Sequence, residues 1–426
     1  MEKTNIVTFK NPIENEVQDV LTQFLKNSAQ KMLTAAIEIE MNEFIEKYKE
    51  LQTEENKKRI VRNGHLPSRK IQTGIGEIQV SIPRSRDRST DGSIRFESNL
   101  IPKYMKRTAS IDVLLPLLYL KGISLQEIES TLVPLLGNNA ENLSASTISR
   151  LKSVWYEEYT NWKKRDLSHK KYVYWWVDGI YLSARMENEK SCVLVIIGAD
   201  EYGKKELITL DDGLRESKEN WRSLLLDLKD RGLCDGANLA VGDGAMGFWS
   251  AVSEIYPETK QQRCWVHKTA NILNQCPKSL QPKAKSMIHD IYLAPTKKEA
   301  QEAWGRFTQS FEAKYPKAVA CLEKNEEELL EFYNFPAEHW VHIRTTNPIE
   351  STFATVRHRT KRSKNCFSRE TILASVFKLC REAEKRWNPL RGKNRIPQVL
   401  DFQKFIDGVK ENEIDPLKKN TINDAA

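Results

Sequence analysis

The chain has 426 residues, of which 40% are hydrophobic and 29% are charged, and its formal net charge is +8. This profile is typical of a soluble globular protein with two to four domains, and it excludes a disordered or fibrous chain. The longest apolar runs are too short to cross a bilayer, and acidic residues near the N-terminus argue against a signal peptide. We therefore expect a cytoplasmic protein with no membrane partner.

The basic residues exceed the acidic ones and are clustered, which favours a polyanionic partner such as nucleic acid. The seven cysteines show no paired spacing, as is typical of a protein in a reducing cytosol.

The N-terminal quarter predicts a helical region followed by a β-hairpin. Apolar residues recur at helical spacing over residues 16–46, within a helical region at 1–60. In residues 61–105, the turn residues Gly74 and Gly76 are followed by alternating apolar residues and then by a basic connector. Such alternation around a glycine-bearing turn indicates a β-hairpin.

Residues 106–165 predict three short helices with tight turns. The first ends at Gly122, a suitable C-cap, and a capping box at Ser124–Glu127 opens the second. The third lies in LSASTISRLKSVWYEEYTNW. This arrangement fits a helix-turn-helix unit whose last helix enters a DNA major groove. An ordinary three-helix bundle is the alternative.

From residue 166 the pattern becomes that of an α/β fold. Three strands rich in β-branched and aromatic residues precede a helix, a short strand, a second helix, a further strand and another helix, all within residues 166–279. Residues 280–340 are strongly helical and charged. Residues 341–426 are expected to complete the core with one more helix and a basic C-terminal region.

Two aspartates stand in the predicted strands at positions where a charge is costly. Asp178 lies inside the apolar run WWVDGIY, where a carboxylate needs a partner or a metal ion. Asp243 follows a short apolar strand, which is the usual place for a ligand site in an open α/β sheet. Each has a structural alternative, Asp178 as a paired strand acid and Asp243 as a turn residue.

Glu350 is the one acid in the basic stretch RTTNPIESTFATVRHRTKRSK. Helix capping alone would explain it: with Asn347 at the N-cap and Pro348 at the first helical position, Glu350 can reach back to the amide of the cap. It can also be a metal ligand. Three carboxylates on two strands and a helix can hold two Mg²⁺ ions, or Mn²⁺ as a substitute. Such a pair activates a water or a 3′-hydroxyl and stabilises the leaving oxygen of a phosphodiester.

Several of these segments together resemble a known family. From RNGHLPSRKIQTGIGEIQVSIPRSR through LYLKGISLQEI, VDGIYL, VGDGAMGFWSAV and QQRCWVHK to the Glu350 stretch, the chain resembles Mutator-type transposases of bacterial insertion sequences, which are DDE recombinases. The resemblance implies a ribonuclease-H-like catalytic core with a helical insertion, which would be residues 280–340. Asp178, Asp243 and Glu350 match the family's DDE triad. The implied partner is double-stranded DNA, bound in the nucleoid by a homodimer or higher oligomer.

The segment CWVH, from Cys264 to His267, matches a Cys-x-x-His signature of related transposases. Its spacing is half of a zinc site, but no second close Cys/His pair accompanies it, so structural zinc is not expected. The two residues either pack beside the catalytic strands, or His267 contacts a metal-binding acid or DNA. A plain core cysteine with a satisfied histidine is the alternative.

Trp340 and a set of basic residues are candidates for contact with DNA. Trp340 can stack on a distorted base near the cut site, and packing between helices is the alternative. The basic residues surround Glu350, so phosphate binding is favoured over a merely solvated face. The set comprises Arg344, Arg357, Arg359, Lys361, Arg362 and Lys364.

The sequence therefore predicts a DDE transposase that cuts and joins DNA at the ends of its insertion sequence. A ribonuclease-H-like nuclease or resolvase, which hydrolyses DNA without strand transfer, is the alternative. A DNA-binding regulator that has lost the chemistry is disfavoured, because all three acids are intact.

Overall fold

The computed structural model describes residues 20–89, 92–108, 110–111, 114, 118, 123, 145–183, 190–213, 215–244, 246–362 and 368–413. The chain divides into two compact units, Met1–Leu151 and Lys152–Ala426. Most of the predicted helix-turn-helix region lies outside the described residues. Within the described part of the chain, no helix is long and apolar enough to cross a membrane.

The first unit contains one long helix and two antiparallel strand pairs. Its elements are α1 (Val20–Lys47), β1 (Ile60–His65), β2 (Arg69–Thr73), β3 (Gly76–Val80) and β4 (Pro83–Asp87). Strands β2 and β3 form the predicted hairpin, and its turn ends at Gly76, whose φ of +105° suits glycine. Ile37 of α1 shares a buried apolar core with Ile71 and Ile78 of the hairpin. The predicted N-terminal helix and hairpin are thus both present.

Helix α2 (Ala145–Lys163) leads into the second unit, a mixed α/β domain around a five-stranded sheet. The strands are β5 (Tyr172–Ser183), β6 (Lys190–Asp200), β7 (Lys205–Gly213), β8 (Leu239–Gly242) and β9 (Lys260–Arg263). Their order in the sheet is β7-β6-β5-β8-β9. Strands β5, β6 and β7 are antiparallel neighbours, whereas β8 is parallel to β5 and β9 is parallel to β8. All five strands occur where the sequence predicted them.

One face of the sheet packs against α3 (Lys218–Asp230) and α4 (Met246–Ile255). Trp175 and Val177 of β5 lie in a buried cluster with side chains of both helices. Burying each large apolar side chain contributes about 1.5–3 kcal/mol. This packing supports the part of β5 that carries Asp178.

The opposite face of β5 packs against the C-terminal helices. The Tyr174 hydroxyl hydrogen-bonds His339 Nδ1 at 2.7 Å, and Trp176 Nε1 donates to the His342 carbonyl at 2.9 Å. The helices that complete the unit are α5 (Trp265–Leu273), α6 (Gln281–Tyr292), α7 (Lys297–Phe311), α8 (Pro316–Glu323), α9 (Glu326–Leu330), α10 (Trp340–Ile343), α11 (Asn347–Arg362), α12 (Arg369–Glu384) and α13 (Ile396–Leu400).

Residues 280–340 are helical, as predicted, with short 3₁₀ turns at Glu331–Asn334 and Ala337–His339. A small hairpin of β10 (Phe405–Ile406) and β11 (Val409–Lys410) follows α13. Helix α11, which carries Glu350, contacts β5.

Candidate active site

Asp178 and Asp243 lie side by side at one edge of the sheet. Val177 of β5 is in register with Gly242 of the parallel strand β8, and the two aspartates are the next residue on each chain. Neighbouring strands are roughly 4.8 Å apart. The two carboxylates therefore leave adjacent strands at the same level, and Asp243 directly follows the carboxyl end of β8.

Backbone amides hold both carboxylates. The amide of Gly179 donates to Asp178 Oδ1 at 2.8 Å, and the amide of Gly244 donates to Asp243 Oδ1. The indole of Trp249 in α4 donates to the Asp243 carbonyl at 2.9 Å. The two amide contacts restrict the orientation of each carboxyl group.

Glu350 lies in the first turn of α11, but it does not cap the helix in the predicted way. The Thr346 carbonyl accepts from the Glu350 amide at 3.0 Å, so Thr346 and not Asn347 is the capping residue. The Asn347 amide donates to Thr345 Oγ1 at 3.4 Å. The Glu350 carboxylate instead accepts a 2.8 Å hydrogen bond from the Thr346 hydroxyl. Its side chain is therefore held toward the site by Thr346.

Cys264 and His267 lie directly beside Glu350. Cys264 follows β9, and its Sγ accepts from the Thr346 amide at 3.3 Å and lies 3.3 Å from the Thr346 hydroxyl oxygen. His267 Nδ1 is 3.7 Å from Glu350 Oε1. The metal-binding atoms of Cys264, His267 and Glu350 lie within 4.8 Å of one another. The Cys-x-x-His segment thus ties the start of α5 to the start of α11.

The His267 imidazole links the three acids electrostatically. A hydrogen bond with Cys264, followed by the nearby charges of Asp243 and Asp178, raises the pKa of His267 to about 9 despite its burial. The ring is therefore an imidazolium at neutral pH. It forms an ion pair with Glu350, and its charge also lowers the pKa of Asp178.

Asp178 is nevertheless difficult to ionise. Burial, with a further contribution from the negative charge of Glu216, raises the pKa of Asp178 to about 7. The opposing charges of His267 and Arg357 only partly offset this effect. A carboxyl group whose pKa is strongly shifted and that lies beside a second acid is typical of functional sites.

The donor chemistry of the site fits hard divalent cations. Carboxylate oxygens are the ligands that Mg²⁺ and Mn²⁺ prefer, and a cation would relieve the repulsion among the acids. Cys264 and His267 would suit a softer metal such as zinc.

Trp340 lies in the core rather than on an open surface. Its side chain is 7% exposed, its Nε1 donates to the Phe335 carbonyl at 2.8 Å, and its ring packs edge-on against Phe332 and Tyr333. This placement favours the helix-packing interpretation over stacking on a DNA base.

Two of the predicted DNA-contacting arginines have different surroundings. Arg344 is half-buried, donates to the carbonyls of Tyr292 and Trp340, and burial lowers its pKa. It connects α10 to α6, which is a structural role. Arg357 is exposed on α11, and its guanidinium lies 5.7 Å from the Phe353 ring. The remaining positions, of whose side chains the structure describes nothing, are Arg359, Lys361 and Arg362 on α11 and Lys364 beyond it.

The sequence did not point to Glu216, an acid in the loop between β7 and α3. The Tyr181 hydroxyl hydrogen-bonds its carboxylate, and burial and then the charge of Asp243 raise its pKa. One available signal was Gly179, because a glycine directly after an aspartate inside an apolar strand indicates close approach of another group.

A model of the transposase family described as "Transposase, Mutator family" matches residues 1–389. The chain belongs to this family.

Named relatives agree with the family assignment. The transposase for insertion sequence element IST2 of Acidithiobacillus ferrooxidans is 52% identical over 280 residues, which cover 65% of this chain and 94% of the relative. The transposase for IS6120 of Mycolicibacterium smegmatis is 50% identical over 69% of this chain and 90% of its own length. The transposase for IS256 in transposon Tn4001 of Staphylococcus aureus is 27% identical over 81% and 87%.

Proposed function

We propose that this Mutator-family protein is an insertion-sequence transposase that cuts and rejoins DNA at the ends of its own element, and that Asp178, Asp243 and Glu350 bind the Mg²⁺ ions it requires. The observation that carries the proposal is the register of β5 and β8, which puts Asp178 and Asp243 side by side. His267, which lies 3.7 Å from Glu350, is also acted on by the charges of Asp243 and Asp178.

A ribonuclease-H-like core is part of the proposal. Support comes from the sheet, in which three antiparallel strands are followed by two parallel ones in the order β7-β6-β5-β8-β9. Further support comes from the helical segment that separates Asp243 from Glu350 in the chain.

Each residue has a distinct task in this proposal. The Gly179 and Gly244 amides orient the two aspartates, and Thr346 orients Glu350. Bound cations would activate a water or a 3′-hydroxyl as the nucleophile and would stabilise the leaving oxygen of the phosphodiester. His267 balances the acidic charge until cations bind. Arg357 is exposed, and its charge lowers the pKa of Asp178. It is therefore suited to hold the phosphate backbone of DNA beside the acids.

A strand-transfer assay tests the function. The full chain would be incubated in Mg²⁺ with labelled duplex that carries the element end, and a plasmid would serve as the target. We expect nicks at the end followed by joined products. Cleavage without any joined product would instead support the ribonuclease-H-like nuclease or resolvase. Wild-type products from Asp243→Asn would contradict the assignment of the site.

A further inference from the structure

The first unit contains a groove of about 740 Å³ beside strand β4. Residues of β4 line it together with residues of the segments 92–98 and 101–103, and we call it the β4 groove. Three of the lining side chains, Ile82, Phe96 and Ile101, belong to the apolar core of the unit or pack against it. The groove is therefore a concave surface that packed side chains support from below.

Most of the charged side chains of the β4 groove are basic. Arg84 and Arg86 are exposed alternate residues of β4, so they lie on the same side of the strand, roughly 7 Å apart. Arg95 and Lys103 are also exposed, and they line the groove from the two other segments. Cations that are distant in the sequence thus meet at one surface.

The two acids that line the β4 groove offset little of this positive charge. Asp87 is 1% exposed, and its carboxylate accepts from Arg59 Nε at 2.9 Å, so its charge is already balanced within the unit. Glu97 is an exposed acid at the groove. An anionic ligand would therefore meet a positive surface.

Hydrogen bonds hold the segments of the β4 groove in place. The hydroxyl of Ser85 in β4 accepts from the Phe96 amide at 2.8 Å, which ties the segment 92–98 to the strand. The guanidinium of Arg69 in β2 donates to the Pro102 carbonyl at 2.7 Å, which ties the next segment to the hairpin. The exposed basic side chains therefore project from a fixed frame, which favours a binding surface over a merely solvated run of charge.

We propose that the β4 groove binds the phosphate backbone of duplex DNA through Arg84, Arg86, Arg95 and Lys103. Four exposed cations from three segments suit a polyanion, and the chain belongs to a family of transposases. The inference rests on the proposed function and names a DNA-binding surface outside the predicted helix-turn-helix region. Contacts with phosphate oxygens position DNA and add affinity without reading its sequence.

Fluorescence anisotropy with the full chain tests this proposal. A labelled duplex that carries the element end, and an unrelated duplex of the same length, would each be titrated with wild type and with Arg84→Gln/Arg86→Gln. Arg95→Gln/Lys103→Gln provides a second variant, with both changes outside β4. All titrations contain EDTA, so that no cation binds at the acidic site, and thermal unfolding identifies which variants are folded.

The matched control is Lys31→Gln/Lys47→Gln. It removes the same charge from exposed positions of α1 in the same unit, and neither lysine lines the β4 groove. A change that follows only from the lower net charge would appear in this control as well.

We expect each groove variant to bind both duplexes more weakly by the same factor, and the control to bind them like wild type. Each lost phosphate contact lowers the slope of log affinity against log salt concentration by about 0.9. For two lost contacts, the loss of affinity should therefore be about tenfold larger at 50 mM salt than at 200 mM.

Wild-type affinity for both duplexes in a folded groove variant would overturn the inference. A loss confined to the element end would overturn it too, since that indicates contacts with bases, and so would an equal loss in the control. If wild type still cuts and joins the element end in Mg²⁺, the proposed function stands in each of these cases. If wild type binds DNA but forms neither nicks nor joined strands, the proposed function fails independently of the groove.

Discussion

Replacing Asp178 with Asn should stabilise the metal-free protein at alkaline pH. Burial and the neighbouring acid raise the pKa of Asp178 from 3.8 to about 7 in the folded state. A carboxyl with a raised pKa favours folding in its protonated form. Its contribution is complete below pH 3.8 and is lost as the pH rises through 7.

The size of the effect follows from the two pKa values. Relative to the unfolded chain, the raised pKa of Asp178 costs the folded protein about 4 kcal/mol at pH 8, where Asp178 is ionised, and about 2 kcal/mol at pH 5, where it must take up a proton. Asn is uncharged and keeps an oxygen that can accept from the Gly179 amide. Asp178→Asn should therefore gain most of these amounts in free energy of unfolding.

Urea unfolding in EDTA at pH 8 and pH 5, followed by tryptophan fluorescence, measures the gain. Trp175 and Trp176 are buried in the same strand as Asp178 and report on this unit. The exposed Asp235 provides a control, since Asp235→Asn should change stability little at either pH. If Asp178→Asn is no more stable than this control at pH 8, the claim that the folded protein disfavours the ionised form of Asp178 is refuted.

Four further outcomes follow from the same geometry. Asp243→Asn should abolish strand cleavage but retain DNA binding in a mobility-shift assay, because an amide is a poor ligand for Mg²⁺; strong residual cleavage would contradict this. Glu350→Gln should fold normally and lose cleavage, whereas near-normal cleavage would leave it only a structural role beside Thr346. Gly179→Ala should displace Glu216, because the added Cβ would be 2.4 Å from its Oε1, and lower the free energy of unfolding in urea; wild-type stability would show that the contact is relieved without cost. Binding of end DNA should weaken steeply between 50 and 200 mM salt as counterions are released, and a flat salt profile would argue against phosphate contacts.

The main elements of the second unit could be predicted from the sequence because their signals are local. The apolar runs around Asp178 and before Asp243 identify β5 and β8, and turn residues mark their ends. The sequence did not predict that β5 and β8 are neighbours; their parallel register, seen only in the structure, puts the two aspartates side by side.

The missing parts of the site depend on tertiary contacts that have no local signal. Glu216 lies in a loop with no periodicity, and its close approach to β5 and α4 requires glycine at positions 179 and 247. Thr346 is one residue from the predicted cap, and the approach of its hydroxyl to Glu350 and to Cys264 Sγ depends on how α11 packs beside β9. Trp340 and Arg344 were predicted as DNA contacts because their residue types suit that role; in the structure Trp340 is buried and Arg344 is half-buried, which the local sequence does not indicate.

The most direct test of the central claim is a nucleotide-resolution map of the products formed from the flanking element ends in Mg²⁺. Wild type and Asp178→Asn would be compared, with an EDTA reaction alongside. We predict nicks at the element boundary and joined strands with wild type in Mg²⁺, and neither product with Asp178→Asn or in EDTA. Boundary nicks and joined strands that persist in Asp178→Asn would contradict the account.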